Sequence, residues 1–467
     1  MKKSFKEKSA FVFILASMYS ATAGVFYLAV TRAYQPVAGF DMIRLIMLVL
    51  LFPLLAKYVL QLICSPLYSL VGGLRKQSEV SAWTPSVSVV IPAWNEEVGI
   101  VKTIKSVLDT QYPRLQIVVI NDGSTDGTHE KVTGFMADYK PEEHHGGVRL
   151  EYLNVSNGGK ARAMNRGFLD ADGEIIITID ADSVMGPSAI ANLVKHFSHP
   201  DVGAVAGNVI IGNRRKPLEW MQQMEYLYGF FFKRADSLFN SVYIIGGAAA
   251  AYRREVLQEM GGFDHSIITE DIEMSTRILS HGYKTRYAAD AVVYTEGPSD
   301  FKGLCNQRLR WKYGRILTFI KYRKLFFSVR PTHNPYLTFV LLPTAVYAEF
   351  LLLIEAFMLA SFFIYTVCTS DYTPLAFVIA MLSAVVSVQV LADSKRRFHR
   401  NLVMLAPVTW LVFYALDMIE LQALFRSLKS LVTRQELKWQ RWVRVGILNK
   451  ACIREPQVGL VSLDYQR

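Results

Sequence analysis

Cysteine is scarce: Cys64, Cys305, Cys368 and Cys452 are scattered through 467 residues. No Cys-x-x-Cys spacing occurs, so neither a zinc site nor a disulfide framework is indicated. The chain lacks a Gly-x-Gly-x-x-Gly fingerprint and a Walker loop. That argues against a dinucleotide-binding fold and a P-loop ATPase. Internal repeats and low-complexity linkers are also missing. Acidic residues are the scarcer sign, 40 Asp and Glu against 51 Lys and Arg, which leaves a formal charge of +11. Nucleic acid would suit such a balance. The bases cluster beside apolar runs, however, so a membrane surface fits better and no nucleic-acid partner is expected.

Apolar residues are in excess, at 51% of the chain, and they concentrate at its two ends. Lys2, Lys3, Lys6 and Lys8 precede Phe11–Val30, a run of bilayer length. No clear small-residue cleavage site follows a short core, so an uncleaved anchor is expected. The loop Thr31–Arg44 leads to a second span, Leu45–Cys64, which contains Pro53 and Lys57. Lys57 either snorkels or faces a polar cavity. Arg75 and Lys76 follow. Basic flanks before the first span and after the second place the N-terminus and the next domain in the cytoplasm.

Residues 80–300 alternate strand and helix patterns, which predicts an α/β domain with a parallel sheet covered on both faces. Ser86–Ile91, Gln116–Ile120, Arg149–Leu153 and Glu174–Ile179 read as strands. Helices are expected over Glu97–Leu108, after Gly158-Gly159-Lys160, and from Pro187 to about Phe197. Strand ends carry Trp94-Asn95-Glu96, Asp122-Gly123-Ser124 and Asp180-Ala181-Asp182, and in a doubly wound sheet such ends converge on one crevice. Asp180 and Asp182 end a strand of β-branched residues. Two carboxylates there suit a hard divalent cation shared with a diphosphate. Lys160 is placed to meet a phosphate in the same crevice.

The second half is less regular. Pro217–Phe239 reads as an amphipathic helix on the membrane surface, with a buried core helix as the alternative. Tyr243–Ala251, with Gly246-Gly247 before four alanines, reads as a wall that something approaches closely. Thr269-Glu270-Asp271 opens a helix running to about Ser280. Its acids serve either as helix-capping charges or as a general base, and spacing alone leaves both open. In Gln307-Arg308-Leu309-Arg310-Trp311, the arginines suit a diphosphate and the indole suits a sugar ring. Lys312, Arg315, Lys321, Arg323 and Lys324 extend it as an interfacial helix on anionic lipid. Tyr336–Val367, Pro374–Leu391 and Leu402–Leu424 are further candidate spans. The basic loop Asp393–Arg400 and the basic tail both favour the cytoplasm, which three single crossings would not allow. Either Tyr336–Val367 is re-entrant or doubled, or Leu402–Leu424 is kinked or interfacial.

Six motifs in order resemble the processive family 2 glycosyltransferases, the membrane synthases of cellulose, chitin, hyaluronan and poly-N-acetylglucosamine. They are Ile91–Glu97, Asn121–Ser124, Gly159–Ala161, Asp180–Asp182, Thr269–Asp271 and Gln307–Trp311. Two N-terminal spans and a short C-terminal bundle make the chain look most like the bacterial poly-N-acetylglucosamine synthases. The resemblance implies a Rossmann-like GT-A catalytic domain, cytoplasmic and inserted between N- and C-terminal transmembrane helices. The expected divisions are residues 1–79, 80–300, 301–335, 336–430 and 431–467.

The resemblance also implies roles. Asp122 would contact the uridine of a UDP-sugar, with Trp94 and Glu96 at the same end. Lys160 would lie near the phosphates, and Asp182 with Asp180 would hold Mg²⁺ or Mn²⁺. Asp271 would be the base, with Glu270 and Asp180 beside it in the catalytic set. Gln307, Arg310 and Trp311 would bind the diphosphate and stack the growing polysaccharide. Lys438–Trp442 is similar to the Trp/Arg gating segment of related synthases. The expected function is an inverting, processive transfer, with UDP-N-acetylglucosamine the favoured donor, in a multi-pass bacterial plasma-membrane protein. Membrane lipid is an expected partner, and a separate small membrane or export subunit has room beside it. Rival readings are a non-processive transferase acting on a lipid and a non-catalytic nucleotide-sugar-binding subunit.

Overall fold

The computed structural model describes residues 2–78, 83–110, 112–141, 147–434, 444, 446 and 447. The expected gating segment Lys438–Trp442 and Cys452 lie outside them. Two long helices open the chain, α1 (Lys2–Thr31) and α2 (Phe40–Ser78). The domain then runs β1 (Val87–Ala93), α3 (Ile100–Leu108), β2 (Leu115–Asp122), α4 (Thr128–Ala137), β3 (Arg149–Val155), α5 (Lys160–Asp170) and β4 (Ile175–Thr178). It continues through β5 (Val184–Met185), α6 (Ala189–Val194), β6 (Val202–Ile211), α7 (Pro217–Leu238), β7 (Ala250–Arg253), α8 (Arg254–Glu259), α9 (Glu270–Ser280) and β8 (Lys284–Thr295). Last come α10 (Phe301–Lys321), α11 (Leu342–Thr369), α12 (Thr373–Ala392), α13 (Arg400–Leu405) and α14 (Thr409–Thr433).

The sheet order is β3-β2-β1-β4-β7-β6-β8-β5. β1 pairs in parallel with β2 and β4, in the register Val87↔Leu115 and Val87↔Ile175. Here the expectation of a parallel sheet needs correction. β7 runs antiparallel to both β4 and β6, and β5 antiparallel to β8, so the sheet is mixed. The short β7 follows the Gly247–Ala249 turn and reverses direction, which a crossover helix would not have done. Both faces are covered. Val87, Val89 and Ile91 join one apolar core, and Val90, Val118 and Ile120 the other. That two-sided burial explains the continuous apolar strand runs.

Five helical segments are long and apolar enough to cross a membrane: Val12–Thr31, Phe40–Val71, Tyr336–Thr369, Thr373–Ala392 and Arg400–Thr433. Tyr336–Thr369 is one continuous helical element whose first turns are π-helical. Arg400–Thr433 is kinked, with a 3₁₀ turn at Ala406–Val408 that contains Pro407. It begins against the domain, where Phe398 O accepts a 2.6 Å bond from Arg214. Its kink touches the middle of α1, where Trp410 donates to Thr22 Oγ1 at 3.1 Å. Its far end returns to α10, where Arg426 reaches Asn306 at 3.4 Å.

α7 is no surface helix. Glu219, Gln222 and Gln223 are buried, Glu219 bonding Ser299 at 2.6 Å and Gln222 bonding the Pro298 carbonyl at 2.8 Å. Its other side meets α2, where Ser65 donates to the Phe231 carbonyl and the Tyr58 ring packs tilted against Phe232. The polar residues that interrupt its apolar run hold it between the sheet domain and the second span.

Candidate active site

β4 is buried along its whole length and delivers Asp180 and Asp182 just beyond its carboxyl end. α5 begins at Lys160, whose Nζ lies 2.7 Å from Asp180 Oδ1 and 2.9 Å from Glu270 Oε1. The turn before β7 closes over this pair. A Cβ on Gly247 would stand 2.9 Å from Lys160 Nζ, so a larger residue here would displace the end of that side chain. The Gly247 amide donates to Asp271 Oδ2 at 3.1 Å, and the Ile272 amide donates to Asp271 Oδ1 at 2.9 Å. The predicted close-approach wall is therefore the backbone that orients Asp271.

Thr269 precedes α9 but makes no capping bond with its side chain. Its Oγ1 is buried without a hydrogen-bond partner and faces α10. A Cβ on Gly314 would lie 2.1 Å from that oxygen, so glycine lets α10 lie directly on the Thr269-Glu270-Asp271 turn. This contact brings Gln307, Arg310 and Trp311 to the acids.

Charge is concentrated here. Burial opposes Lys160's charge, but Asp180, Glu270 and Asp271 outweigh it and raise its pKa. Burial would raise Asp180, yet Lys160, then Arg310 and Arg444, hold it below the ordinary carboxylate range. Asp271 goes the other way. Burial, reinforced by Glu270, pushes it up to about 6 against Lys160 and the two amides. Adjacent carboxylates thus have opposed tendencies, which is the pattern expected where one acid is a fixed anion and another exchanges a proton.

Asp180, Asp182, Lys160, Glu270, Asp271, Gln307, Arg310 and Trp311 all line one cavity of about 560 Å³. Trp311 lies against the guanidinium of Arg308, 4.2 Å from its ring centre, and near Tyr226 at 6.3 Å. The cavity continues past Tyr228 of α7 and Phe413 and Asp417 of α14, and Lys57 faces it from α2. Lys312 and Arg315 do not lie on lipid as expected. Lys312 is 4% exposed and pairs with Glu349 Oε2 at 2.9 Å and Glu420 Oε2 at 2.7 Å, while Arg315 also pairs with Glu349. Arg308 pairs with Glu225 at 2.7 Å. The sequence motifs assign no role to Glu225, Glu349 or Glu420. The usable signal was carboxylates within apolar runs, facing a basic stripe at 308, 312 and 315.

Trp94, Glu96 and Asp122 do not line this cavity. Asp122 accepts bonds from the Gly158 amide at 2.7 Å and the Gly159 amide at 2.9 Å. Its carboxylate shapes the loop that delivers Lys160. Glu96 connects to the cavity through a residue the motif reading missed: Arg444 hydrogen-bonds Glu96 and forms an ion pair with Asp182. Gly446 then donates to Glu296 at 3.0 Å, and Ile447 packs with Val184 and Ile210.

Among the described residues, no group of three or more His, Cys, Asp or Glu is placed to hold a metal ion. The donor set instead offers two oxygen ligands on one strand end. Each already takes a cationic partner, Lys160 for Asp180 and Arg444 for Asp182, which leaves a set of at most two carboxylates. That fits an ion of the Mg²⁺ type, which uses one or two carboxylates and completes its shell with phosphate oxygens and water.

Residues 85–314 match the family described as glycosyltransferase like family 2. Over 231 residues the chain is 33% identical to the poly-beta-1,6-N-acetyl-D-glucosamine synthase of Staphylococcus epidermidis, covering 49% of this chain and 54% of that protein. The synthase of the same name from Staphylococcus aureus is 32% identical over the same length. The chain thus spans about half the length of the curated relatives it matches. A mannosyltransferase from Pyrobaculum calidifontis, solved with GDP-Man and Mn²⁺, shares 21% identity and a TM-score of 0.53 over 84% of this chain and 99% of its own. At that identity the likeness bears on the fold alone, a GT-A-like mixed sheet. Through residues 85–314, this chain is similar to the family 2 glycosyltransferases.

Proposed function

We propose that the protein is an inverting, processive glycosyltransferase that polymerises N-acetylglucosamine from a UDP-sugar and passes the polysaccharide across the membrane. The observation that carries this is the single cavity joining Asp180, Asp182 and Asp271 to Trp311 and then to the helices beyond. Asp271 accepts the proton of the acceptor hydroxyl as its oxygen attacks the anomeric carbon. The bond from that carbon to the diphosphate breaks, and UDP leaves with the electron pair. Lys160 and Arg310 stabilise the negative charge on the leaving diphosphate. Asp180 and Asp182 would hold Mg²⁺ or Mn²⁺, which would supply further positive charge against the leaving diphosphate. Trp94 and Asp122 lie toward the nucleoside. Gln307 and Trp311 receive the terminal sugar of the acceptor.

In this reading four segments cross the membrane and Arg400–Thr433 is re-entrant, so the domain, the Asp393–Arg400 loop and the tail share the cytoplasmic face. Single Ser394→Cys and Thr433→Cys variants should label from that face, and labelling from opposite faces would contradict the arrangement. The functional test is UDP release by the full chain in nanodiscs across a panel of UDP-sugars with Mg²⁺ or Mn²⁺. Release with UDP-N-acetylglucosamine and long product is expected. Short, lipid-extractable product would favour the non-processive reading, and release with no donor would remove the enzymatic one.

A further inference from the structure

A second cavity, of about 600 Å³, shares no lining residue with the catalytic one. Its walls come from the domain and from the ends of two candidate spans. α2 supplies Tyr68, and α12 supplies Ala392 at its last turn. The cavity therefore sits where these helices leave the apolar layer and meet the domain.

Its lining is basic. Arg234, Arg286 and Lys195 face it, against one carboxylate, Asp290, which pairs with Lys195. Arg234 is 6% exposed, and its Nε has no hydrogen-bond partner. One of its terminal nitrogens donates to the Ala392 carbonyl at 3.1 Å, and no carboxylate among the described residues pairs with it. Arg286 is 5% exposed and bonds Asn240 through Nε at 3.4 Å. The remaining walls include the rings of Tyr68 and Tyr112, whose hydroxyls are already bonded to the Tyr287 and Pro85 carbonyls. The rings therefore present apolar surface.

A buried guanidinium without an anion is costly, and its fork suits a phosphate. We propose that this cavity binds a phosphate group, that of an anionic phospholipid headgroup whose acyl chains run along α2 and α12. Arg234 and Arg286 take the phosphate oxygens, Lys195 stands at the rim, and the tyrosine rings cover the glycerol. The site would tie the sheet domain to the bilayer surface independently of sugar transfer.

The test uses the full chain in detergent and reads Tm, which a ligand specific to the folded state raises. The probes are short-chain phosphatidylglycerol, short-chain phosphatidylcholine and inorganic phosphate. A concentration-dependent rise with phosphatidylglycerol is expected. Arg234→Gln should weaken it on the order of tenfold, as expected for a lost charge-assisted contact. Lys195→Gln, at the rim, should weaken it less and serves if Arg234→Gln does not fold. An equal rise with phosphatidylcholine, or a rise unchanged in both variants, would overturn the proposal. A rise with inorganic phosphate and none beyond it with lipid would assign the site to a soluble phosphate ester and overturn the lipid assignment.

Discussion

Arg444 forms an ion pair with Asp182, the carboxylate whose strand-end position marks it for a divalent cation, and through its other terminal nitrogen donates a hydrogen bond to Glu96. A tail residue thus supplies positive charge where the metal and diphosphate are proposed to bind. Removing it should make the acids more available. Arg444→Ala is expected to bind Mn²⁺ more tightly in the absence of donor, on the order of tenfold, the size of a charge–charge change of about 1.4 kcal/mol. Titration followed by Mn²⁺ electron paramagnetic resonance measures this. Unchanged or weaker affinity would mean that Arg444 does not compete for the site.

Asp271 carries the base assignment, and its burial gives a separate check. Asp271→Asn should lower turnover about 10²–10⁴-fold with donor affinity nearly unchanged. The fold should not suffer. A carboxylate raised by burial is harder to ionise folded than unfolded, so above the ordinary carboxylate range its charge disfavours the native state. Asparagine removes that charge and keeps one of the two oxygens, which accepts from either the Gly247 or the Ile272 amide. A lower Tm for Asp271→Asn at pH 7 would point to a structural role.

The pH profile follows from the same value. The base works ionised, so the rate should be full above about pH 6 and fall about tenfold per unit below it. A profile flat down to the ordinary aspartate range near 4 would count against Asp271.

Gly314 and Thr269 make a steric prediction. Gly314→Ala places a methyl group 2.1 Å from Thr269 Oγ1 and must push α10 away from the acids. Activity should fall well beyond any change in donor binding at the Asp182 end. Thr269→Ala removes the two atoms that crowd most, so the double variant should recover part of the loss. No recovery would show that the helix contact is not what Gly314 serves.

Lys312 is buried between Glu349 and Glu420, and removing both acids leaves its charge unpaired. Glu349→Gln with Glu420→Gln should destabilise the protein by about 3 kcal/mol or more, read as a fall in Tm in detergent. Either single change should cost less, because one carboxylate remains.

The strand ends were legible because chemistry and periodicity coincide there: β-branched runs ending in Asp180, Asp182 or Asp122 have few other readings. The turn of direction at β7 was not, since four alanines after two glycines carry no signal for strand polarity. α7 was misplaced because Gln222 and Gln223 look solvated in sequence but are buried, Gln222 donating to the Pro298 carbonyl and Gln223 meeting His399 and Asn401. Lys312 and Arg315 were sent to lipid for a similar reason. Their partners Glu349 and Glu420 lie 34 to 108 positions further on, and only the packing of α10 on α11 and α14 joins them. Arg444 sits in a basic tail whose composition points to a membrane side but not to a carboxylate in the site.

The most direct test of the account is product length and UDP release from UDP-N-acetylglucosamine by the full chain and by Asp271→Asn, run side by side in nanodiscs with Mn²⁺. The account predicts long polymer and stoichiometric UDP from the unmodified chain, and neither from the variant despite retained donor binding. Polymer formed by Asp271→Asn at an undiminished rate would contradict it.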